Sequence, residues 1–292
     1  MRTFSLLLLL LLLQLTTAAG AALPMLQLDV ARFRNEDTSI KGSVVEVYAT
    51  VSGKSLRYMR RAPKMYQAAA TLTLEIIRPD GQAVYQETVT LKPPVLSDTT
   101  AVIKNPLSFQ KRLVLPDGEY TLRGLVRDQN QTGQQSLVEQ PLTLVSVGAK
   151  PTLSDMVLLA KPAARGTEAS NFSRGGYSLT RAPGGLYTRG ADRLWLYAEL
   201  YNLAPDQSLT VRYRLRQTKA KTDALTTSGT VRGQAGRPAP ILGELDLSKV
   251  PTGDYTLTVE VRNPKNQLLT TQTALVRRAP DEYTPAGAGP AR

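Results

Sequence analysis

The stretch Leu115-Pro-Asp-Gly-Glu-Tyr-Thr-Leu-Arg-Gly-Leu-Val-Arg-Asp128 returns later as Val250-Pro-Thr-Gly-Asp-Tyr-Thr-Leu-Thr-Val-Glu-Val-Arg-Asn263. Seven of the fourteen positions are identical without a gap: the Pro, Gly, Tyr, Thr, Leu, Val and Arg. Each copy couples a Pro-x-Gly turn to an alternating run. Tyr120, Leu122, Gly124 and Val126 fall on one face of a strand, and Tyr255, Leu257, Val259 and Val261 do the same. A tight turn that delivers a Tyr to the start of a late strand is the tyrosine corner of immunoglobulin-like sandwiches. The ring fills the end of the sandwich and the hydroxyl bonds upstream backbone. Tyr120 and Tyr255 are therefore structural residues.

Further out, Val47-Tyr48-Ala49-Thr50-Val51 parallels Leu196-Tyr197-Ala198-Glu199-Leu200. Both matching pairs occur in the same order, which is the mark of an internal duplication. Strand-type alternation recurs at Val45, Val47, Ala49 and Val51, at Leu72, Leu74 and Ile76, and at Leu194, Leu196, Ala198 and Leu200. Turn signals such as Pro79-Asp80-Gly81 and Asn263-Pro264 punctuate the runs, and no helical period stands out. Each copy reads as about seven short strands. The fold class is all-β, with two tandem immunoglobulin/fibronectin-III-like β-sandwich domains. The first spans 23–148 and the second 149–278. The break falls at Val147-Gly148-Ala149-Lys150-Pro151, a linker short enough to restrict orientation. Residues 279–292 are rich in Pro, Gly and Ala without a period and read as a disordered tail. The aperiodic stretch 160–192 is long for a loop in a compact domain. Phe172, Tyr177, Leu179 and Tyr187 within it suggest that part of it is pinned to the sandwich.

Residues 1–22 read as a secretory signal peptide. Arg2 supplies the positive start, Leu6 to Leu13 the apolar run, and Ala18-Ala19-Gly20-Ala21-Ala22 the small-residue cleavage region. The chain is expected to be exported, to the periplasm or the cell surface. No other segment is long and apolar enough to span a membrane. The sequence has neither Cys nor His. That excludes disulfides, lipid-anchored cysteine, Ser-His triads and His-based zinc or haem sites. Lys and Arg number 36 against 24 Asp and Glu. The basic residues are scattered rather than gathered in an arm, so they read as solvated strand faces and not as a nucleic-acid footprint.

The strings Arg174-Gly175-Gly176-Tyr177-Ser178-Leu179 and Arg193-Leu194-Trp195-Leu196-Tyr197-Ala198-Glu199-Leu200-Tyr201-Asn202 stand out in the second copy. The first copy has Val44-Val45-Glu46-Val47-Tyr48-Ala49, then Leu56-Arg57-Tyr58 and Met65-Tyr66-Gln67-Ala68. Together, over nearly the whole mature chain, these resemble the N-terminal region of bacterial proteins named for a Gly-Trp-x-Thr-Asp (GWxTD) domain. The GWxTD string itself is absent: the single Trp, Trp195, follows Leu194 and not Gly. The resemblance implies an envelope location and the sandwich fold, and no particular activity.

Two groups of residues are candidates for function. Trp195, Tyr197 and Tyr201 share one face of a strand, opposite Leu194, Leu196 and Ala198. In the next strand Arg212, Arg214 and Arg216 alternate with Val211, Tyr213 and Leu215. Side by side, the two rows would form an aromatic and cationic platform for sugars, bases or partner side chains; the alternatives are a packed interdomain contact, or arginine stems covering exposed rings. Sandwiches often place such successive strands in different sheets, which would separate the rows. Asp29 and Asp155 occupy comparable first-strand positions but belong to different copies, and read as polar edge residues. A hydrolase using two carboxylates can work without His, but no such pair is recognisable. The sequence therefore names no catalytic residue, no cofactor and no metal site. The expected function is that of a non-catalytic envelope module binding a protein or a glycan, the alternative being a carbohydrate-binding protein using the Trp195 face. Oligomeric state is left open.

Overall fold

The computed structural model describes residues 23–100, 105–166, 173–188 and 190–280. The expected signal peptide, all but the start of the expected tail, and Phe172 lie outside the described residues.

The first sandwich has two antiparallel sheets. One is ordered β1-β2-β7, from β1 (Leu26–Arg34), β2 (Ser43–Val51) and β7 (Leu107–Leu115). The other is ordered β6-β5-β8-β9, from β5 (Ala70–Ile77), β6 (Ala83–Leu91), β8 (Gly118–Asp128) and β9 (Gln135–Leu144). A short hairpin, β3 (Met59–Ala62) and β4 (Met65–Gln67), stands apart. In the second sandwich β16 (Arg193–Tyr201) is flanked on one side by β10 (Thr152–Leu153) and β11 (Val157–Leu159), and on the other by β19 (Ala239–Asp246). Its facing sheet is ordered β15-β21-β20-β17-β18, from β15 (Leu186–Thr188), β17 (Ser208–Gln217), β18 (Leu225–Arg232), β20 (Gly253–Arg262) and β21 (Leu268–Ala279). The 160–192 stretch adds a small sheet of β12 (Ala164–Arg165), β13 (Ser173–Arg174) and β14 (Tyr177–Ser178). Without β15 the two sandwiches share one topology: β1, β2 and β7 correspond to β10/β11, β16 and β19, and β6-β5-β8-β9 corresponds to β18-β17-β20-β21. The chain is all-β, with two tandem immunoglobulin/fibronectin-III-like sandwiches.

Period-2 patterning builds each core. β5 buries Ala70, Leu72, Leu74 and Ile76 and turns Thr71, Thr73 and Glu75 outward. Leu72, Leu74 and Ile76 pack with Val45, Val47 and Ala49 of β2 and Leu122 of β8. In the second sandwich Leu194, Leu196, Ala198 and Leu200 meet Val211, Leu215, Leu257 and Val259. Fully burying one such Val, Leu or Ile side chain is worth roughly 1.5–3 kcal/mol. Two strands depart from the pattern. All of β2 except Thr50 is buried, and β16 is buried from Tyr197 to Tyr201 on both faces.

Both tyrosine corners are present. Tyr120 Oη donates to Pro116 O at 3.1 Å and Tyr255 Oη to Pro251 O at 2.8 Å. Tyr120→Phe and Tyr255→Phe should each lower the unfolding free energy by about 1 kcal/mol in urea melts, since one buried hydrogen bond is lost and the ring is kept.

Candidate functional site

The second buried face of β2 and of β16 is explained by a seam between the sandwiches. Ala31 and Phe33 of β1 and Val44 and Tyr48 of β2 form one apolar cluster with Val157 and Leu159 of β11, Leu179 and Tyr197. Tyr177 and Trp195 pack at its margin. The outward sheet faces of the two copies therefore cover each other.

At the centre of the seam are two buried carboxylates, Glu46 of β2 and Glu199 of β16. Arg174, at the end of β13, lies between them. Its Nη1 donates to Glu46 Oε1 at 3.3 Å and its Nη2 to Glu199 Oε2 at 3.1 Å. Its Nε is 2.7 Å from Glu199 Oε1 but is off the line a hydrogen bond requires. The guanidinium sits 3.6 Å above the Phe33 ring. The remaining oxygens are satisfied by phenols: Tyr48 donates to Glu46, while Tyr197 and Tyr201 donate to Glu199 at 2.9 and 2.7 Å. Arg112, from β7, closes the Glu46 side at 2.8 Å and reaches Ser173 O at 2.9 Å.

A tight hairpin presents Arg174. Gly175 and Gly176 turn between β13 and β14 with φ of 57° and 81°, a conformation that suits glycine. A Cβ on Gly175 would also run into Tyr197 Oη.

The rim of the seam has a reciprocal pattern. Asp29 of the first sandwich accepts Arg181 Nη2 of the second at 3.0 Å, and the Gly184 N–H at 3.2 Å. Asp155 of the second accepts Arg32 Nε and Nη2 of the first at 2.7 and 2.9 Å, with Gln272 adding 2.7 Å. Arg181 stacks 3.6 Å over Tyr48, and Arg34 stacks 4.7 Å over Tyr201. Asp29 and Asp155 do lie at matching sheet edges, and each in addition holds an arginine of the other sandwich, which the sequence reading did not give.

The platform expected from the sequence does not form. Tyr197 and Tyr201 are each 1% exposed, and Trp195 is half-buried beside them. Arg212, Arg214 and Arg216 lie on β17, in the opposite sheet from β16. Arg214 is paired with Asp223 at 2.8 Å and Glu260 at 2.9 Å, and Arg216 with Asp223 at 2.8 Å. The strands following one another in sequence cross between sheets, and this separates the rows. The described parts of the 160–192 stretch are pinned to the sandwich: Tyr187 donates to Leu159 O at 2.9 Å, and Arg174, Arg181 and Leu179 enter the seam. Glu46, Glu199 and Arg174 were not singled out by sequence reasoning. The signal was present, because Glu46 has Tyr48 two residues away and Glu199 is flanked by Tyr197 and Tyr201, which puts phenol and carboxylate on one strand face.

Burial pushes the phenols of Tyr48, Tyr197 and Tyr201 well above the ordinary range, and the neighbouring carboxylates push them further. Burial alone pushes Tyr213 up to about 12. Burial also opposes the charge of Arg174, but Glu199 and then Glu46 outweigh it and its pKa is raised. The space among Glu46, Tyr48, Gln110, Arg112, Arg174 and Arg181 is about 10 Å³, room for about one water. This centre therefore holds two surfaces together and leaves no space for a substrate. Among the described residues no three His, Cys, Asp or Glu side chains gather as a metal site requires.

No family model and no curated protein matches the sequence. Similar solved structures include a red sea bream transglutaminase, at 12% identity over 87% of this chain and 31% of that one, with a TM-score of 0.26. Another is the calcium-binding mutant of Bacteroides uniformis β-glucuronidase 2, at 11% identity over 85% of this chain and 28% of that one, TM-score 0.29. A third comprises the fibronectin(III)-like modules of Clostridium thermocellum CbhA, at 12% identity over 89% of this chain and 98% of that one, TM-score 0.22. The chain spans under a third of the length of the first two.

Removing one partner from a buried ion pair strands the other charge. Arg174→Ala should cost roughly 3–5 kcal/mol of unfolding free energy. The triple change Arg174→Met, Glu46→Gln, Glu199→Gln should recover much of that loss in the same denaturant melts. The phenols predict a second behaviour. A phenol with a higher pKa in the folded than in the unfolded chain stays protonated longer when folded. Its contribution is intact below the unfolded value of about 10 and is lost as pH climbs toward the folded value. Stability should therefore be level up to about pH 10 and then fall, by at most about 1.4 kcal/mol per pH unit for each such tyrosine. Denaturant melts between pH 8 and 11.5 measure this.

Proposed function

We propose that the chain is a non-catalytic, exported envelope module that presents a protein-binding scaffold of fixed geometry. One observation carries this reading: Arg174 bridges Glu46 and Glu199 and seals one sandwich against the other. A pair of sandwiches free to swing on a short linker would pay an ordering cost on every binding event; a sealed pair meets its partner with its surfaces already in register. The linker is held too, since Asn202 Nδ2 donates to Gly148 O at 2.6 Å and Lys150 O at 3.0 Å. Export is supported by the apolar Leu6–Leu13 run and by the resemblance to envelope proteins of the GWxTD group. The carbohydrate-binding alternative needs an aromatic face open to a sugar ring. With Tyr197 and Tyr201 enclosed in the seam, a protein partner is the better-supported reading.

Two measurements test it. Expressed with its leader in a bacterial host, the chain should be recovered outside the cytoplasm lacking residues 1–22, as read by intact mass. The purified chain, immobilised, should retain a discrete protein from envelope extract and give no signal on a glycan array. Full-length protein confined to the cytoplasm would sink the export reading. A strong glycan signal with no protein retained would replace the protein partner with a sugar.

A further inference from the structure

The β3–β4 hairpin serves neither a sandwich core nor the seam. Its base is fixed. Tyr66 exchanges backbone hydrogen bonds with Leu96, 2.8 Å each way, and the Arg57 N–H donates to Asp128 at 2.7 Å while Asn130 Nδ2 reaches Arg57 O at 2.8 Å. Beyond the base it is open: Arg57, Met59, Arg60, Arg61, Pro63, Lys64 and Met65 are all exposed.

The charge of this region is one-sided. From Val47 to Leu74 there is no Asp or Glu, while Lys54, Arg57, Arg60, Arg61 and Lys64 fall within the same stretch. Arg112, Arg174, Arg181 and Arg214 each answer a carboxylate. The arginines of the hairpin do not. Arg60 Nε turns to Ala62 O at 3.4 Å and Arg61 Nη2 to Asn130 Oδ1 at 3.4 Å. Asp128, at the base, is buried and holds the backbone N–H groups of Arg57 and Asn130. Asp98, just past Leu96, is occupied by Thr100. Arg57, Arg60, Arg61 and Lys64 thus form a local run of exposed cations on one projection.

Apolar side chains project among the cations. Met59 is 40% exposed, Met65 44% and Val95, beside Leu96, 43%. The register pairs Met59 with Gln67, which places Met59 and Met65 on the same face of the hairpin.

We propose that this hairpin is a membrane-surface contact. It docks on a bilayer of anionic phospholipid, with Met59 and Met65 entering the boundary of the acyl region and Arg57, Arg61 and Lys64 lying on headgroup phosphates; Arg60, paired with Tyr66, points to the other face. The pairing of flexible thioethers with long cationic stems suits an interface that is apolar below and anionic above. A single-stranded nucleic acid would call for exposed aromatic platforms, and the tyrosines of this region, Tyr58 and Tyr66, are half-buried.

The test is vesicle co-sedimentation of the chain from Leu23 to Arg292. This holds every described residue and lacks the Leu6–Leu13 run, which would itself partition into lipid. Vesicles of phosphatidylcholine with one part in three phosphatidylglycerol should bind the chain, and pure phosphatidylcholine should not. Each basic side chain at an anionic surface strengthens binding about fivefold, so Arg57→Gln, Arg61→Gln, Lys64→Gln together should weaken it roughly 100-fold. Their melting temperature should be unchanged, because the three are exposed. Met59→Ser with Met65→Ser should weaken binding severalfold, and Met65→Trp should blue-shift its emission on anionic vesicles only. Three outcomes would overturn the proposal: no binding to anionic vesicles; binding that survives the triple neutralisation; or binding indifferent to the methionines and fully competed by soluble polyphosphate, which would make the hairpin a polyanion site.

Discussion

The arrangement of the two sandwiches depends on one guanidinium between two buried carboxylates. Two glutamates in a sheet–sheet contact would be prohibitive alone, since desolvating each charge costs several kcal/mol after relaxation. Arg174 makes the contact possible by adding the missing positive charge at hydrogen-bonding distance from both. Three phenols and Arg112 complete the coordination. Such a centre adds little net stability over a well-packed apolar one, and its value is in geometry. An apolar seam tolerates sliding. A seam whose charges are satisfied in one register does not.

The duplication supplied the material and its asymmetry supplied the lock. In the first copy β1 runs unbroken over Leu26–Arg34, whereas in the second the matching edge is divided into β10 and β11. Ser154 and Asp155 occupy that break. Ser154 exchanges backbone and hydroxyl contacts with Glu199, at 2.8 and 2.9 Å, and Asp155 turns to Arg32 of the first sandwich. The 160–192 insertion, with no counterpart in the first copy, brings Arg174 and Arg181 to the seam. Two equivalent sandwiches would each expose a polar face; one break and one insertion make those faces complementary.

This explains which parts were legible in the sequence. Hydrophobic alternation reports which side of a strand faces its own core. The strands, the two copies and both tyrosine corners followed from it together with the Pro-x-Gly turns. Alternation is silent on what covers the other side. Trp195, Tyr197 and Tyr201 were correctly assigned to the outward face of β16, and it was the outward face that another domain enclosed. The Arg212–Arg214–Arg216 row was likewise correctly outward, but strand order within a sandwich sends β16 and β17 to opposite sheets. What could have been read is the chemistry of the row itself. A carboxylate with a phenol two residues away on the same strand face recurs at matching positions of the two copies, Glu46 with Tyr48 and Glu199 with Tyr197 and Tyr201, on strands whose other face is the apolar core row.

Enclosing those aromatics changes what remains for outside partners. With the tyrosine rows used internally, the outward face of the β17 sheet carries an arginine row of which Arg214 and Arg216 are already matched by Asp223 and Glu260. Matched charges in a strand ladder bind partners weakly, because any new partner must first displace the old one. The hairpin at Met59–Gln67 lacks that compensation, and its three cations, Arg60, Arg61 and Lys64, share it with exposed methionines. A rigid body joined at its middle and carrying a run of exposed cations and methionines on one projection has a direction. Whatever the hairpin touches sets the orientation of both sandwiches, because the seam transmits that orientation without a hinge.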